Sequence, residues 1–186
     1  MKRLFLMLAI TVSTIGAKAQ DSKIAVGGHG AATSELTWIN GKPALSVGAY
    51  GGVLLNHKFL IGLSGNNTFF DQTVNNKKEN FQLNYYGLYT EYRILPSQPV
   101  NISVGLTSAL GWQENGILTE QKRNRKDGEF TYVFQPKIGV NVKIAKFVQA
   151  QMYGSYRITG DTQSRYFTQS NYNGFSAGAA LVFGSF

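Results

Sequence analysis

The chain has 186 residues, enough for one domain with its own core. It contains no cysteine, which excludes a disulfide framework, a thiolate metal site and a lipid-attachment cysteine. Its 18 Lys and Arg against 10 Asp and Glu give a formal charge of +8; Lys2, Arg3 and Lys18 sit in the leader and leave +5, a balance that does not point to nucleic acid. With 21 Gly, 10 Tyr and 12 Phe and few charges, the composition is one of short periodic strands, as in barrels and sandwiches.

Residues 1–19 carry a basic start (Lys2, Arg3), an apolar run over 4–15 and Ala17-Lys18-Ala19 before Gln20. That is the three-part secretory signal with a small-x-small cleavage site, and cleavage is expected after Ala19. The apolar run is too short for a spanning helix, which needs about 20 residues. The remainder, 20–186, is expected to form one exported domain.

From Asp21 onward the dominant period is two. The first strand, over 24–38, is rich in Gly, and its polar face carries His29, Thr33, Glu35 and Thr37. Gly27-Gly28-x-Gly30 is read as a strand bend and not a phosphate loop, since no helix follows it. Asn40-Gly41 marks a compact hairpin turn. In the second strand Leu45, Val47, Ala49 and Val53 oppose Ser46, Gly48 and Tyr50. In the third Phe59, Ile61, Leu63 and Phe69 oppose Gly62, Ser64, Asn66 and Thr68. The phase over 81–95 is ambiguous and suggests a bulge; with Tyr86, Leu88, Tyr92 and Ile94 on one side, Glu91 and Arg93 fall on the other.

The pattern is clearest over 100–112. Val100, Ile102, Val104, Leu106, Leu110 and Trp112, with Ser108, alternate with Asn101, Ser103, Gly105, Thr107, Ala109 and Gly111. Over 132–144, Tyr132, Phe134, Ile138, Val140, Val142 and Ile144 alternate with Val133, Gln135, Lys137, Gly139, Asn141 and Lys143. Two lysines on the second face keep that face out of hydrocarbon. Pro136 removes a ladder donor and is expected at a bulge or an outer rim. In the seventh strand Val148, Ala150, Met152, Tyr156 and Ile158 oppose Gln149, Gln151, Tyr153, Ser155 and Arg157. The eighth, from 174 to the end, alternates Phe175, Ala177, Ala179, Leu181 and Phe183 with Ser176, Gly178, Ala180, Val182 and Gly184. A free apolar strand at a chain end is an aggregation-prone edge unless it closes a ring against the first strand.

Eight strands result, and the connections alternate in length. Residues 55–58, 96–99 and 145–146 are short; 71–80, 113–129 and 160–173 are long and polar. Short turns on one rim and long loops on the other are the pattern of outer-membrane barrels. Several strands match the roughly 9–11 residues that cross a bilayer at a tilt. Aromatics gather near strand ends, at Trp38, Phe59, Phe69, Phe70, Trp112, Phe130, Tyr132, Phe147, Phe175 and Phe183, as girdles at both interfaces require. The fold expected is an all-β, eight-stranded antiparallel up-and-down transmembrane β-barrel after a cleavable signal peptide. Its narrow lumen is expected to hold a polar network of Glu35, Glu91, Arg93, Lys137, Lys143 and Arg157, with the two glutamates pairing with Arg93, Arg157 or Lys137.

The chain resembles the small eight-stranded outer-membrane β-barrels of Gram-negative bacteria, of the OmpX and OmpA transmembrane-domain type. The resemblance implies that Gly178, Leu181, Phe183 and the terminal aromatic Phe186 form the signal read by the barrel-insertion machinery. Some small barrels of the outer membrane modify lipid with a His, a Ser and an acid near the outer rim or on the lipid face. Neither His29 nor His57 is expected there, and no catalytic, cofactor or metal residue is assigned. The run Lys122, Arg123, Arg125 and Lys126 in the longest loop suits a surface polyanion. The expected role is a monomeric structural or surface-interaction barrel whose partners are outer-membrane lipid, the insertion machinery and a polyanion, not nucleic acid. Two other readings stand beside it: a lipid-modifying barrel enzyme, and a soluble lipocalin-like barrel with its apolar face inside.

Overall fold

The computed structural model describes residues 24–74, 77–116, 129–160 and 172–184. Side chains are described for these except at 72–74, 77–80, 113–116 and 129. The leader and its cleavage site, the run 122–126 and Phe186 lie outside the described residues.

Eight antiparallel strands close into a barrel in chain order. They are β1 Val26–Ile39, β2 Lys42–Leu55, β3 Phe59–Val74, β4 Lys77–Ile94, β5 Val100–Gly116, β6 Glu129–Ala145, β7 Val148–Thr159 and β8 Gly174–Gly184. The seam is the pairing of β1 with β8, from His29 opposite Gly184 to Thr37 opposite Ser176. Both ends of the sheet are thereby used up, and the apolar last strand has no open edge. At one rim the β1–β2 turn is a tight hairpin. Asn40 and Gly41 both take positive φ, 50° and 73°, the backbone that lets a two-residue turn follow the twist of its strands.

Three expectations about the strands are corrected. Residues 71–80 are not a long loop. β3 and β4 stay in one register out to Val74 opposite Lys77, so this hairpin projects beyond the belt where the alternation stops. β5 likewise continues to Gly116, opposite Asn80. No bulge interrupts β4; its pairings with β3 and β5 hold one register throughout. The apparent phase change arises because Phe81, Leu83 and Tyr85 point inward although they are apolar or aromatic. Pro136 sits mid-strand, opposite Leu106 of β5 and away from both rims. Toward β7 the ladder skips Gln135 and Pro136 and resumes at Lys137 opposite Ser155 in unchanged register. The stretch with a residue lacking an N–H thus leaves two residues unpaired toward β7 and makes no bulge. The register shift in this pair falls instead between Lys143 and Ala145.

The faces settle the orientation. Large apolar side chains of every strand are exposed, among them Leu36, Val53, Leu63, Leu88, Val104, Ile138, Met152 and Leu181. Phe130, 77 % exposed, Tyr132 and Phe175 crown one end of this surface, and Phe59, Phe147 and Phe183 ring the other. Phe70 is a correction, since it points into the barrel and packs at 5.6 Å on Phe81. An outer wall this apolar is a bilayer-facing wall, and it excludes the soluble lipocalin-like reading, which needs the same residues inside. The interior is layered. Ile39, Phe70, Phe81, Leu83, Tyr85, Val133 and Tyr172 form an apolar cluster. Tyr50, Leu54, Leu60, Tyr89, Tyr153 and Val182 belong to a second.

Candidate functional site

The inward residues of β4 to β7 build the centre of the barrel. Alternation places Tyr89, Glu91 and Arg93 on one face of β4, and each is buried. Glu91 and Arg93 are 1 % and 2 % exposed and form an ion pair at 3.1 Å. The Tyr89 hydroxyl donates to the second Glu91 oxygen at 2.6 Å, and the Gln151 amide donates to the same oxygen at 3.3 Å. Arg93 reaches across to β1, where its guanidinium donates to His29 Nε2 at 2.8 Å. A guanidinium can only donate, so this imidazole nitrogen accepts, and His29 is engaged as a hydrogen-bonding partner. His57 lies in the β2–β3 turn with positive φ, exposed and remote from His29 in the sheet.

Lys137 enters from β6 just after Pro136. Its ammonium lies 4.5 Å from the centroid of Tyr50, 4.7 Å from Tyr89 and 4.5 Å from Tyr153, and it donates to Gln151 at 3.4 Å. Three ring faces around one ammonium form a cation–π cage inside a low-dielectric interior. Tyr153 fits because β8 offers Gly178 beneath it: a Cβ there would come within 2.6 Å of the ring. The glycine that the resemblance assigns to an insertion signal therefore has a packing role of its own. Gly178→Ala is expected to displace the Tyr153 ring and cost about 1–3 kcal/mol, read as a lower urea midpoint for the folded barrel in detergent.

Glu35 lies elsewhere in the lumen. It accepts from Gln135 at 3.1 Å and from the Ser155 hydroxyl at 3.3 Å, and Tyr85 donates to Gln135 at 2.9 Å. Among the described residues no cation makes an ion pair with it, so the expected pairing of Glu35 is corrected. Opposite charges share this interior, but strand stagger brings amides and hydroxyls to Glu35 first. Arg157 donates to the carbonyl of Tyr172 at 2.9 Å and to Thr37 at 3.2 Å. Lys143 is half-buried at the far end of β6, and no side-chain bond among the described residues joins it to this network. Gly178 faces inward, whereas Leu181 and Phe183 face outward on β8.

Sequence reasoning placed Tyr50 and Tyr153 inside but missed Tyr89 and therefore the cage. The parity that puts Glu91 and Arg93 inward also puts Tyr89 there. It also missed a polar row on the outer wall, Asn67 opposite Asn84 opposite Trp112.

No family model matches the chain, and neither does the sequence of any curated protein. Solved structures do match. Neisserial surface protein A aligns with a TM-score of 0.58 at 12 % identity, over 88 % of this chain and 99 % of that one. The N-terminal β-barrel domain of Pseudomonas aeruginosa OprF aligns with a TM-score of 0.51, also at 12 % identity, over 87 % and 99 %. Identity this low speaks for the fold alone. The chain has the fold of the small eight-stranded outer-membrane β-barrels.

Proposed function

We propose that this protein resides in the outer membrane as a closed, non-conducting barrel whose role is structural or surface-interacting. The observation that carries the reading is the filled centre. The Lys137 ammonium sits among three tyrosines, and Glu91, Arg93, Gln151 and His29 bond across the space beside it. Eight strands leave a bore that side chains can fill, and here they tie opposite walls together. A closed bore leaves the lipid-facing wall and the rims as contact surfaces. In this reading the leader is removed after Ala19, and the outward Leu181 and Phe183, with Phe186, address the insertion machinery. Lys122, Arg123, Arg125 and Lys126 meet a surface polyanion.

Conductance tests the closed bore. Purified protein in planar bilayers is expected to give no steady current steps; reproducible ohmic steps would overturn the reading. The polyanion contact is tested by replacing Lys122, Arg123, Arg125 and Lys126 with Ser. Retention on a sulfated polysaccharide column at low salt is expected to fall, and the salt slope with it. Unchanged retention would remove that contact.

A further inference from the structure

The outer wall of a membrane barrel has no use for carboxamides. In hydrocarbon each unpaired amide group is costly, and the other polar residues on this face are small hydroxyls, such as Ser34, Thr90 and Ser108. Yet β3 and β4 place Asn67, Gln82 and Asn84 there, side by side. Asn67 pairs with Asn84, and Asn84 with Trp112. Gln82 donates to Asn84 at 2.8 Å, and the Tyr86 hydroxyl donates to Asn67 at 3.2 Å. Tyr86 lies flat on the wall because Gly65 beneath it has no Cβ, which would come within 2.6 Å of the ring. It stacks on Trp112 with centroids 5.1 Å apart and planes at 23°. Asn84 is 5 % exposed, Tyr86 46 %.

Each carboxamide has capacity left over. Asn67 and Asn84 use their oxygens, and Gln82 uses its nitrogen. The Nδ2 groups of Asn67 and Asn84 and the Oε1 of Gln82 have no partner among the described residues. Donors and an acceptor thus flank an aromatic platform. The level of the patch is also informative. From Ile94 near one rim to Asn84 the strand climbs roughly 33 Å at about 3.3 Å per residue, or about 25 Å along the bilayer normal at a tilt of about 40°. That equals the height of the apolar band, so the patch meets the headgroups of the leaflet on the rim opposite the chain ends.

An aromatic girdle accounts for Tyr86 and Trp112 alone. It does not account for three adjoining amides with spare donors and acceptors. We infer that Asn67, Gln82, Asn84, Tyr86 and Trp112 form a binding site for the sugar headgroup of an outer-leaflet glycolipid. A pyranose presents an apolar C–H face that lies on an aromatic ring and a rim of hydroxyls that both donate and accept. The acyl chains then run down the exposed Leu88, Leu110 and Leu63. A phospholipid headgroup offers charge but no such flat face, and among the described side chains the patch holds no cation to meet it.

The site rests on the outer-membrane reading, and the two fail differently. If the barrel does not belong in a bilayer, it will not partition into vesicles at all. The test uses the full barrel in mild detergent, titrated separately with an acylated, phosphorylated glucosamine disaccharide and with phosphatidylglycerol, which carries charge without sugar. Retained lipid is counted by native mass spectrometry. The disaccharide lipid is expected to be retained, and phosphatidylglycerol weakly. The double variant Gln82→Leu with Asn84→Leu suits the apolar wall and is expected to lower retention of the sugar lipid about five-fold or more, near the effect of one lost hydrogen bond. Trp112→Leu is a second variant, independent of the amides, with a drop of similar size expected. Folding of each is checked by heat-modifiable gel mobility. Equal retention of both lipids, or unchanged retention in both variants, would overturn the site and leave the amides to interfacial water.

Discussion

Glu91→Leu will destabilise the barrel by about 3–5 kcal/mol, the cost of stripping one partner from a buried ion pair. Glu91 binds Arg93 at 3.1 Å, and it accepts from Tyr89 at 2.6 Å and from Gln151 at 3.3 Å. Leucine removes all of these at once. Arg93 keeps His29, a neutral acceptor that does not balance its charge. Lys137 stays nearby in its tyrosine cage, so two cations face a void where an anion stood. Water can reach the site only by loosening the packing that closes the lumen. Two effects are therefore expected together: a lower urea midpoint for folding into lipid vesicles, and a current through the barrel where the parent is expected to give none. The double variant Glu91→Leu with Arg93→Leu separates charge from volume. It also removes the cation that lost its carboxylate and is expected to recover more than half of the loss. Glu35→Gln provides the contrast. Its hydrogen-bond partners are Gln135 and Ser155 and, among the described residues, no cation pairs with it directly, so the amide keeps a partner and the change should stay well below that of Glu91→Leu. If Glu91→Leu and Glu35→Gln cost the same, the central ion pair is not what holds the lumen shut.

The contrast between the two glutamates also marks how far the sequence could be read. Lipid outside and a narrow bore inside force strict alternation, and this made strand identity, connection order and the inward placing of Glu91, Arg93, Lys137 and Arg157 legible. Alternation assigns a face, but it says nothing about who stands across the bore. Partners there depend on the stagger of all eight strands, so Glu35 was matched to a cation when Gln135 and Ser155 reach it. Phe81, Leu83 and Tyr85 misled for a related reason. A closed lumen tolerates an apolar layer, and an inward apolar residue looks the same in sequence as an outward one. Strand ends were drawn short because the alternation ends where the lipid does, while the backbone ladder of β3 and β4 runs on to Val74 and Lys77. The rule that a lost donor distorts a sheet puts Pro136 at a bulge or an outer rim. A closed ring holds register from both neighbours, and the strand absorbs the loss by leaving Gln135 and Pro136 unpaired toward β7 alone.

The orientation itself is open to a direct energetic test. Leu88→Arg is expected to cost about 2–4 kcal/mol, and Phe130→Arg about 0–1 kcal/mol from its charge, because the penalty for a cation on a barrel's lipid face peaks at the bilayer midplane. Leu88 stands 57 % exposed near the middle of β4, opposite Leu63 and Ser108. An arginine there cannot easily reach either interface. Phe130 stands at the crowned end of β6, where a guanidinium meets headgroups. Reversible folding into vesicles, followed by urea titration, gives both numbers on one scale. The same pair in detergent micelles, where water lies closer to the wall, should differ less. On a soluble barrel, position 88 would be ordinary surface and Leu88→Arg would change stability by no more than about 0.5 kcal/mol. Near-equal values for the two substitutions in vesicles would therefore remove the bilayer from around this wall. With it would go the headgroup level that gives Asn67, Asn84 and Trp112 their meaning.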